Sequence, residues 1–329
     1  MVNAEAAGCL ADCFSTGRPQ SAHRQKTAHR RGFSGTGKAP LLYFIPFREI
    51  YWKSLQPIDP VLIMFYRLTL ACLLVFTADI FVFGWKAMWE PLKKKGAART
   101  YFSAGLVISM NWGIYIYMVN SEYVIQTSIG YYIEPLILCL FGIVFFKEKL
   151  TGYKTAAILL ACAGAGVMLF SFGQFPFLAF GLAITFSTYA GIKKKVHAPA
   201  LLSLLYETIL LLPIVIPGIL YFELNGKGAF AAAEPHQLGL LAFSGLFTAV
   251  PLCLFAMGTN RISLIAIGLI EYVSPSITLL LGIFLFREAF DIYQFIGFMI
   301  IWIDLAIFTV GSIRDQRQPK EEKSSGNLT

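Results

Sequence analysis

The sequence predicts an all-α polytopic membrane protein of about ten transmembrane helices, built as two inverted five-helix repeats with a degenerate first helix. Three observations predict it: the composition, the alternation of basic and charge-poor loops between apolar segments, and a self-match that carries Tyr132 onto Tyr272. Of 329 residues, 57% are hydrophobic and 14% charged, and the mean hydropathy is +0.65. Soluble domains run at about 45–50% apolar and about 25% charged. The balance excludes a secreted disulfide scaffold, a disordered chain and most soluble enzymes. Ten spans of about 20 residues need about 200 residues, which this length allows. The net charge of +8 reports loop orientation in such a chain rather than nucleic acid binding. Cys72, Cys139, Cys162 and Cys253 lie in apolar runs, as small hydrophobes do. Cys9 and Cys13 precede His23 and His29 at a spacing that fits no usual zinc pattern, so neither a metal nor a cofactor is expected.

Residues 1–40 form an atypical basic segment, expected to be disordered, with the run His23, Arg24, Lys26, His29, Arg30 and Arg31. Gly32, Gly37 and Lys38 imitate a nucleotide-binding loop, but Ala39 stands where Ser or Thr is needed and no apolar strand precedes it. A weak apolar stretch follows at 40–52, interrupted by Pro46, Arg48 and Glu49. Strong apolar segments then lie near 60–84, 101–120, 123–146, 154–172, 175–192, 200–222, 237–258, 263–286 and 292–313. The count is nine, or ten with the weak stretch. Loop charges arbitrate. Lys86, Lys93, Lys94, Lys95 and Arg99 form one basic loop; Lys147, Lys149 and Lys154 form the next. Lys193, Lys194 and Lys195 form a third, and Arg314, Arg317, Lys320 and Lys323 lie in the tail at 314–329. The intervening loops near 121, 173 and 225 are nearly free of Lys and Arg. The positive-inside rule places the basic set and the C-terminus in the cytoplasm. Ten spans then keep the basic N-terminus inside as well, whereas nine would leave it outside.

Shifted along its own length, the chain matches itself in one register: Asn120 on Asn260, Tyr132 on Tyr272, Pro135 on Pro275, Phe146 on Phe286, Glu148 on Glu288 and Tyr153 on Tyr293. Shared apolar content does not readily align Asn, Pro and Glu in one register. The offset spans five helices, and an odd number inverts each unit in the membrane. The end at Lys147–Lys149 is expected inside and its copy at Arg287–Glu288 outside. Inverted repeats are a recurrent plan of secondary transporters, in which two similar bundles exchange conformations around one site. The repeats are expected at 41–173 and 174–313.

The motifs Asn111-Trp112, Gly130-Tyr131-Tyr132 with Pro135-Leu136, Phe172-Gly173 and Gly181-Leu182-Ala183 give the chain a family likeness. Lys193-Lys194-Lys195, Glu207-Thr208 with Leu211-Leu212-Pro213, and Val250-Pro251-Leu252 add to it. Over about residues 51–313 the chain resembles the EamA branch of the drug/metabolite transporter superfamily, especially its RarD-like members. The resemblance implies ten helices in two five-helix repeats and export of small metabolites or drugs. In this branch the first helix is a full apolar span ending in a Tyr-Trp-Lys-like motif. Tyr51-Trp52-Lys53 remains here, but residues 1–48 read as unrelated sequence, which a displaced start or a frameshift would explain. Tyr66-Arg67 stands where His-Arg is usual, so a role of that His does not carry over.

Ionisable groups inside spans cost about 2.5–3.5 kcal/mol each on insertion scales and need partners or water. Arg67, Glu134, Glu207, Glu271 and Asp304 are the candidates, whereas Asp79, Lys53 and Glu148 are expected to reach the interfaces. Position 134 is equivalent to 274, so Glu271 lies one turn before the copy of Glu134, on the same helix face. Each carboxylate precedes or abuts a proline, Pro275 or Pro135, and proline frees a backbone carbonyl one turn back. Two carboxylates flanking a pseudo-twofold axis can take up a proton or a cationic substrate in turn; the alternative is pairing with Arg67 or a Tyr that only holds helices together. Glu207 either neutralises Arg67 or lines the cavity, and Asp304 is expected to form an interhelical hydrogen bond. Trp112, Tyr131 and Tyr272, with Tyr115, Tyr117 and Tyr132, form either a stacking cavity for planar solutes or part of the interfacial belt. Asn111 can hydrogen-bond across helices, and Asn120 and Asn260 can cap helix ends. Ala157, Ala161, Gly164 and Gly166 have close-packing spacing, which also admits a homodimer.

The expected function is therefore a secondary transporter of the inner (plasma) membrane exporting small metabolites or drugs, with proton coupling open. Its partners are a small-molecule substrate and membrane lipid. The alternative is a non-transporting integral membrane partner or tether, against which the short loops argue. An enzyme is not expected: no metal-binding Asp-rich motif, His-Glu zinc helix or nucleophile–base pair occurs, and His23, His29, His197 and His236 all fall in predicted loops or the tail. No complete ATP motif is present either.

Overall fold

The computed structural model describes residues 51, 54–120, 124–173, 175–196, 198–281 and 292–325. The basic segment 1–40, the weak stretch at 40–50 and the end at Arg287–Glu288 lie outside the described residues. Every regular element among the described residues is helical, as an apolar chain with no water for its backbone requires. In order, the helices are α1 (Pro60–Phe83), α2 (Trp85–Trp89), α3 (Ala97–Asn120), α4 (Val124–Phe146), α5 (Gly152–Phe172) and α6 (Phe177–Lys195). Then come α7 (Ala200–Ile209), α8 (Leu212–Leu224), α9 (Ala229–Ala232), α10 (Pro235–Arg261), α11 (Leu264–Glu271), α12 (Val273–Leu281) and α13 (Ile292–Ser325).

Local chemistry sets the ends. The Asp59 carboxylate accepts from Val61 N at 2.8 Å and Leu62 N at 3.4 Å, with Pro60 at the first helical position of α1. This satisfies donors that a helix start leaves unpaired. Gly173 closes α5 at φ 72°, a left-handed conformation that Gly adopts without steric cost. The expected loop at Lys193–Lys195 is instead the last turn of α6, where cations complement the carbonyl end of the helix dipole. Lys193 is buried there, its ammonium 5.8 Å from the Tyr189 ring centroid. His236, expected in a loop, lies in the first turn of α10 and pairs with Glu234 at 3.2 Å.

Among the described residues, five helices are long and apolar enough to cross a membrane: Pro60–Phe83, Ile129–Phe146, Gly152–Phe170, Pro235–Arg261 and Phe295–Asp315. A sixth results if Ala200–Ile209 and Leu212–Ala232, bent by 53° between them, count as one span. The single segment expected at 200–222 is thus broken, at Leu210-Leu211 ahead of Pro213, which offers no N–H to the Ile209 carbonyl at the end of α7 and whose ring crowds it. Pro275 has the same effect beyond Tyr272, dividing the segment expected at 263–286 into α11 and α12.

The chain forms two compact units, residues 1–102 with 197–254 and residues 103–196 with 255–329. Neither coincides with a sequence half; each draws on both. In the first unit α1 packs on α7 and α8; in the second α5 packs on α13, and α4 on both α6 and α11. Three of these pairs start at positions equivalent in the self-match: Pro60 of α1 with Ala200 of α7, Val124 of α4 with Leu264 of α11, and Gly152 of α5 with Ile292 of α13. These six helices therefore pack in pairs of repeat equivalents.

The α5–α13 contact is made by the small residues read from the sequence. Ala157 and Ala161 are buried. A Cβ on Gly164 would stand 2.9 Å from the carbonyl oxygen of Gly297, whereas one on Gly166 would meet open space. The stripe through Ala157, Ala161 and Gly164 is thus covered by α13 of the same chain. Gly164→Val is expected to cost about 1–3 kcal/mol through overpacking. Gly166→Val should stay within about 0.5 kcal/mol of wild type. Melting temperatures of the two variants in one detergent check the contrast.

Candidate functional site

In the second unit, α4 presents Tyr131, Tyr132, Glu134 and Pro135 in succession, and α11 ends at Glu271 with Tyr272 as its cap. The two helices cross closely because Gly268 leaves room: a Cβ there would be 2.6 Å from the carbonyl oxygen of Pro135. The Cys139 thiol donates to Ile265 O at 3.6 Å one turn along the crossing. The Tyr272 hydroxyl donates to the carbonyl oxygen of Tyr132 at 3.0 Å. These two tyrosines are equivalent to each other in the self-match register.

Glu134 and Glu271 are brought together at this crossing, within electrostatic reach of each other. Both residues are half-buried. One carboxylate oxygen of Glu271, Oε2, is buried with no hydrogen-bond partner among the described residues. Such an atom loses its water without compensation. Pro275 has no N–H to offer the Glu271 carbonyl, and Pro135 none for that of Tyr131, so both helices carry backbone acceptors without their usual intrahelical partner.

The aromatic candidates divide. Tyr131 and Tyr115 are half-buried with ring centroids 6.4 Å apart, and Trp112 is half-buried on the helix that carries Tyr115. Tyr117 is exposed. Tyr272 is fully buried, held by its own hydroxyl and by Ser276, which donates to Tyr272 O at 2.8 Å and accepts from Trp302 Nε1 at 3.0 Å. Asn111 is buried; its Nδ2 donates to Leu182 O at 2.8 Å and to Thr185 Oγ1 at 3.0 Å, joining α3 to α6.

Glu148 marks one end of this unit. It does not reach for solvent, as an interfacial carboxylate would. Its Oε1 and Oε2 accept from Leu264 N at 2.7 Å and Ile265 N at 3.0 Å, the first donors of α11. Lys194 lies 3.3 Å from the same carboxylate and donates to Ile262 O at 2.7 Å. An anion on a helix N-terminus, itself paired with a cation, ties α4, α6 and α11 together.

Arg67 and Glu207 belong to the first unit, on α1 and α7. Glu207 is buried and accepts from Ser203 Oγ at 2.8 Å, and it lies within electrostatic reach of Tyr101. The rings of Tyr101 and Tyr206 stand 4.8 Å apart, and the Tyr206 hydroxyl donates to Met88 O. Tyr66 donates to Glu223 Oε1 at 2.7 Å, which also accepts from Ala229 N. Sequence reading missed that Tyr66-Arg67 falls on Tyr206-Glu207 in the same self-match; extending the register upstream reveals it. It also placed Asp79 at an interface and gave Asp304 an interhelical hydrogen bond. Both are fully buried, and neither carboxylate has a hydrogen-bond partner among the described residues. A single sequence gives each residue's depth only roughly and does not say which side chains enclose it.

Among the described residues no cluster of three or more His, Cys, Asp or Glu side chains is arranged to hold a metal ion. The family model for EamA-like transporters matches the chain twice, at residues 50–170 and 175–310. An uncharacterized transporter of Bacillus subtilis, YojE, is 36% identical over 82% of this chain and 91% of its own length. The RarD protein of Streptomyces exfoliatus is 32% identical over 91% of this chain and 93% of its own. A solved crystal structure matches at a TM-score of 0.63, with 15% identity over 82% of this chain and 95% of that one, a likeness of fold alone.

Proposed function

Because this chain belongs to the EamA-like transporter family, with that family's domain duplicated along a multi-pass membrane protein, we propose that it works as a secondary transporter exporting small metabolites or drugs across the inner (plasma) membrane. Ten spans in two inverted five-helix repeats, at 41–173 and 174–313, would carry alternating access, with the C-terminus cytoplasmic. What supports this plan is that α1, α4 and α5 each pack on the helix that begins at the equivalent position of the other repeat. Equivalent residues of a twofold repeat meet only near its axis, and Tyr132 meets Tyr272.

The single observation that carries the mechanism is the Glu134–Glu271 pair with its unpartnered Oε2. Two carboxylates in reach of each other repel when both are ionised. They favour one shared proton, or a cation held between them. Uptake of either would relieve the repulsion, and release on the other side would restore it. Trp112, Tyr131 and Tyr115 offer ring faces to a planar or amphipathic solute. Tyr272 and Asn111, whose polar groups are engaged between helices, would hold these surfaces in place. Arg67 and Glu207, in equivalent positions of the two repeats, are the corresponding charged candidates of the first unit.

The test begins with metabolites released by cells with and without the protein. The solute found is then loaded into proteoliposomes together with a pH-reporting dye. Solute efflux accompanied by proton entry is the expected result. Efflux without proton movement would leave a facilitator, and the absence of any solute difference would favour a non-transporting membrane partner.

A further inference from the structure

We propose that Asp304 is a second proton-binding site, separate from the Glu134–Glu271 pair. Asp304 lies within the apolar span Phe295–Asp315 of α13. It is 0% exposed, and both carboxylate oxygens are without a hydrogen-bond partner among the described residues. The side chains within electrostatic reach of it are Cys139 from α4, Cys162 from α5 and Tyr272 from α11. None of these is a cation. An ionised carboxylate enclosed in this way would lose its hydration and gain no counter-charge, a loss of several kcal/mol that folded proteins avoid. A carboxylic acid has no such penalty, and its O–H can turn toward a sulfur or a backbone carbonyl. Asp304 therefore holds a proton in this conformation.

Cys139 lies within electrostatic reach of both Asp304 and Glu271, and Glu271 in turn of Glu134. Three carboxyl groups thus stand in the second unit, on α13, α11 and α4. The packing that seals Asp304, α13 on α5, is a contact between repeat-equivalent helices. In a carrier whose repeats exchange conformations, that seam is one of the places that opens. Asp304 would then meet water and release its proton. This release step rests on the transporter reading given above; the bound proton does not.

Infrared difference spectra of the protein in liposomes, taken between acid and alkaline buffer in light and heavy water, test both parts. With carboxyl-labelled [13C]aspartate, the wild type should show an isotope-shifted carboxylic-acid carbonyl band that responds to pH and to deuterium. Asp304→Asn should lose one component of it, and Asp79→Asn, a carboxylate buried in the same way, should retain that component. Asp304→Glu, which keeps the acid but removes it from the labelled pool, guards against a misfolded Asn variant by moving the band to its unlabelled position. Glu134→Gln combined with Glu271→Gln should leave the labelled band in place. Identical spectra for wild type and Asp304→Asn would overturn the proposal, as would a band that neither titrates nor exchanges. A transport-inactive protein that still shows the band would defeat the transporter reading and leave the proton site standing.

Discussion

If the transport proposed above is proton-driven, Glu271→Gln is expected to lower it by about tenfold or more, about 1.4 kcal/mol on the barrier, because glutamine cannot take up the proton that relieves the repulsion with Glu134. It should also flatten the dependence of rate on pH. Glutamine keeps the length and the hydrogen-bonding capacity of the side chain but cannot gain or lose a proton. In the native protein Oε2 of Glu271 is buried without a partner among the described residues, and Glu134 lies in electrostatic reach. Removing the charge at 271 removes the repulsion that makes proton or cation uptake favourable. Glu134→Gln should act in the same direction, because each carboxylate lies in electrostatic reach of the other. The double variant should be hardly worse than the stronger single one, as expected for side chains sharing one function. Counterflow of solute without a proton gradient should survive in both. The measurement is solute flux in proteoliposomes at several pH values, with and without an imposed gradient. Wild-type rates and an unaltered pH profile in Glu271→Gln would end the assignment.

The largest loss of stability is expected from Glu148→Ala. The Glu148 side chain is 11% exposed and that of Lys194 21%, so water screens the pair little. Truncation leaves two N–H donors at the start of α11 and a lysine ammonium without their anion. Breaking a buried pair from one side costs about 3–5 kcal/mol; partial exposure moves this case to the lower end. Lys194→Met should cost less, since Glu148 would keep both backbone donors. A double-mutant cycle should give a coupling free energy of about 1 kcal/mol or more. Thermal unfolding in detergent reads all three variants. A Glu148→Ala protein melting with the wild type would mean that the carboxylate does not hold α11.

Much of this was legible before any coordinates. The run of apolar segments follows from composition, and the register linking Tyr132 to Tyr272 follows from polar residues that apolar drift would not align. Glu134 and Glu271 stand out because one abuts a proline in a span and the other precedes one by a turn. Sequence reading found less where the answer depended on distant partners. Glu148 looks interfacial in the chain because it neighbours Lys147 and Lys149, but its donors are Leu264 N and Ile265 N, 116 and 117 residues onward. Backbone N–H groups leave no mark in a sequence. Lys193 resembles its two neighbours in composition, and only the packing on Tyr189 separates a buried lysine from a solvated one. The bend before Pro213 and the break at Tyr272 are hidden for another reason: hydropathy continues across both, and only the missing proline N–H and the crowding of its ring against the carbonyl four residues back divide the helices.

The pairing of helices with their own counterparts has a consequence for how such a chain arose. A cut at Gly173 would separate α1 from α7, α4 from α11 and α5 from α13 at once. Neither fragment would retain an intact compact unit. An ancestor half this long could have satisfied the same surfaces only by meeting a second copy of itself. Fusion of two copies into one gene would have turned that chance encounter between strangers into a permanent embrace, after which the halves were free to diverge, as Arg67 and Glu207 have.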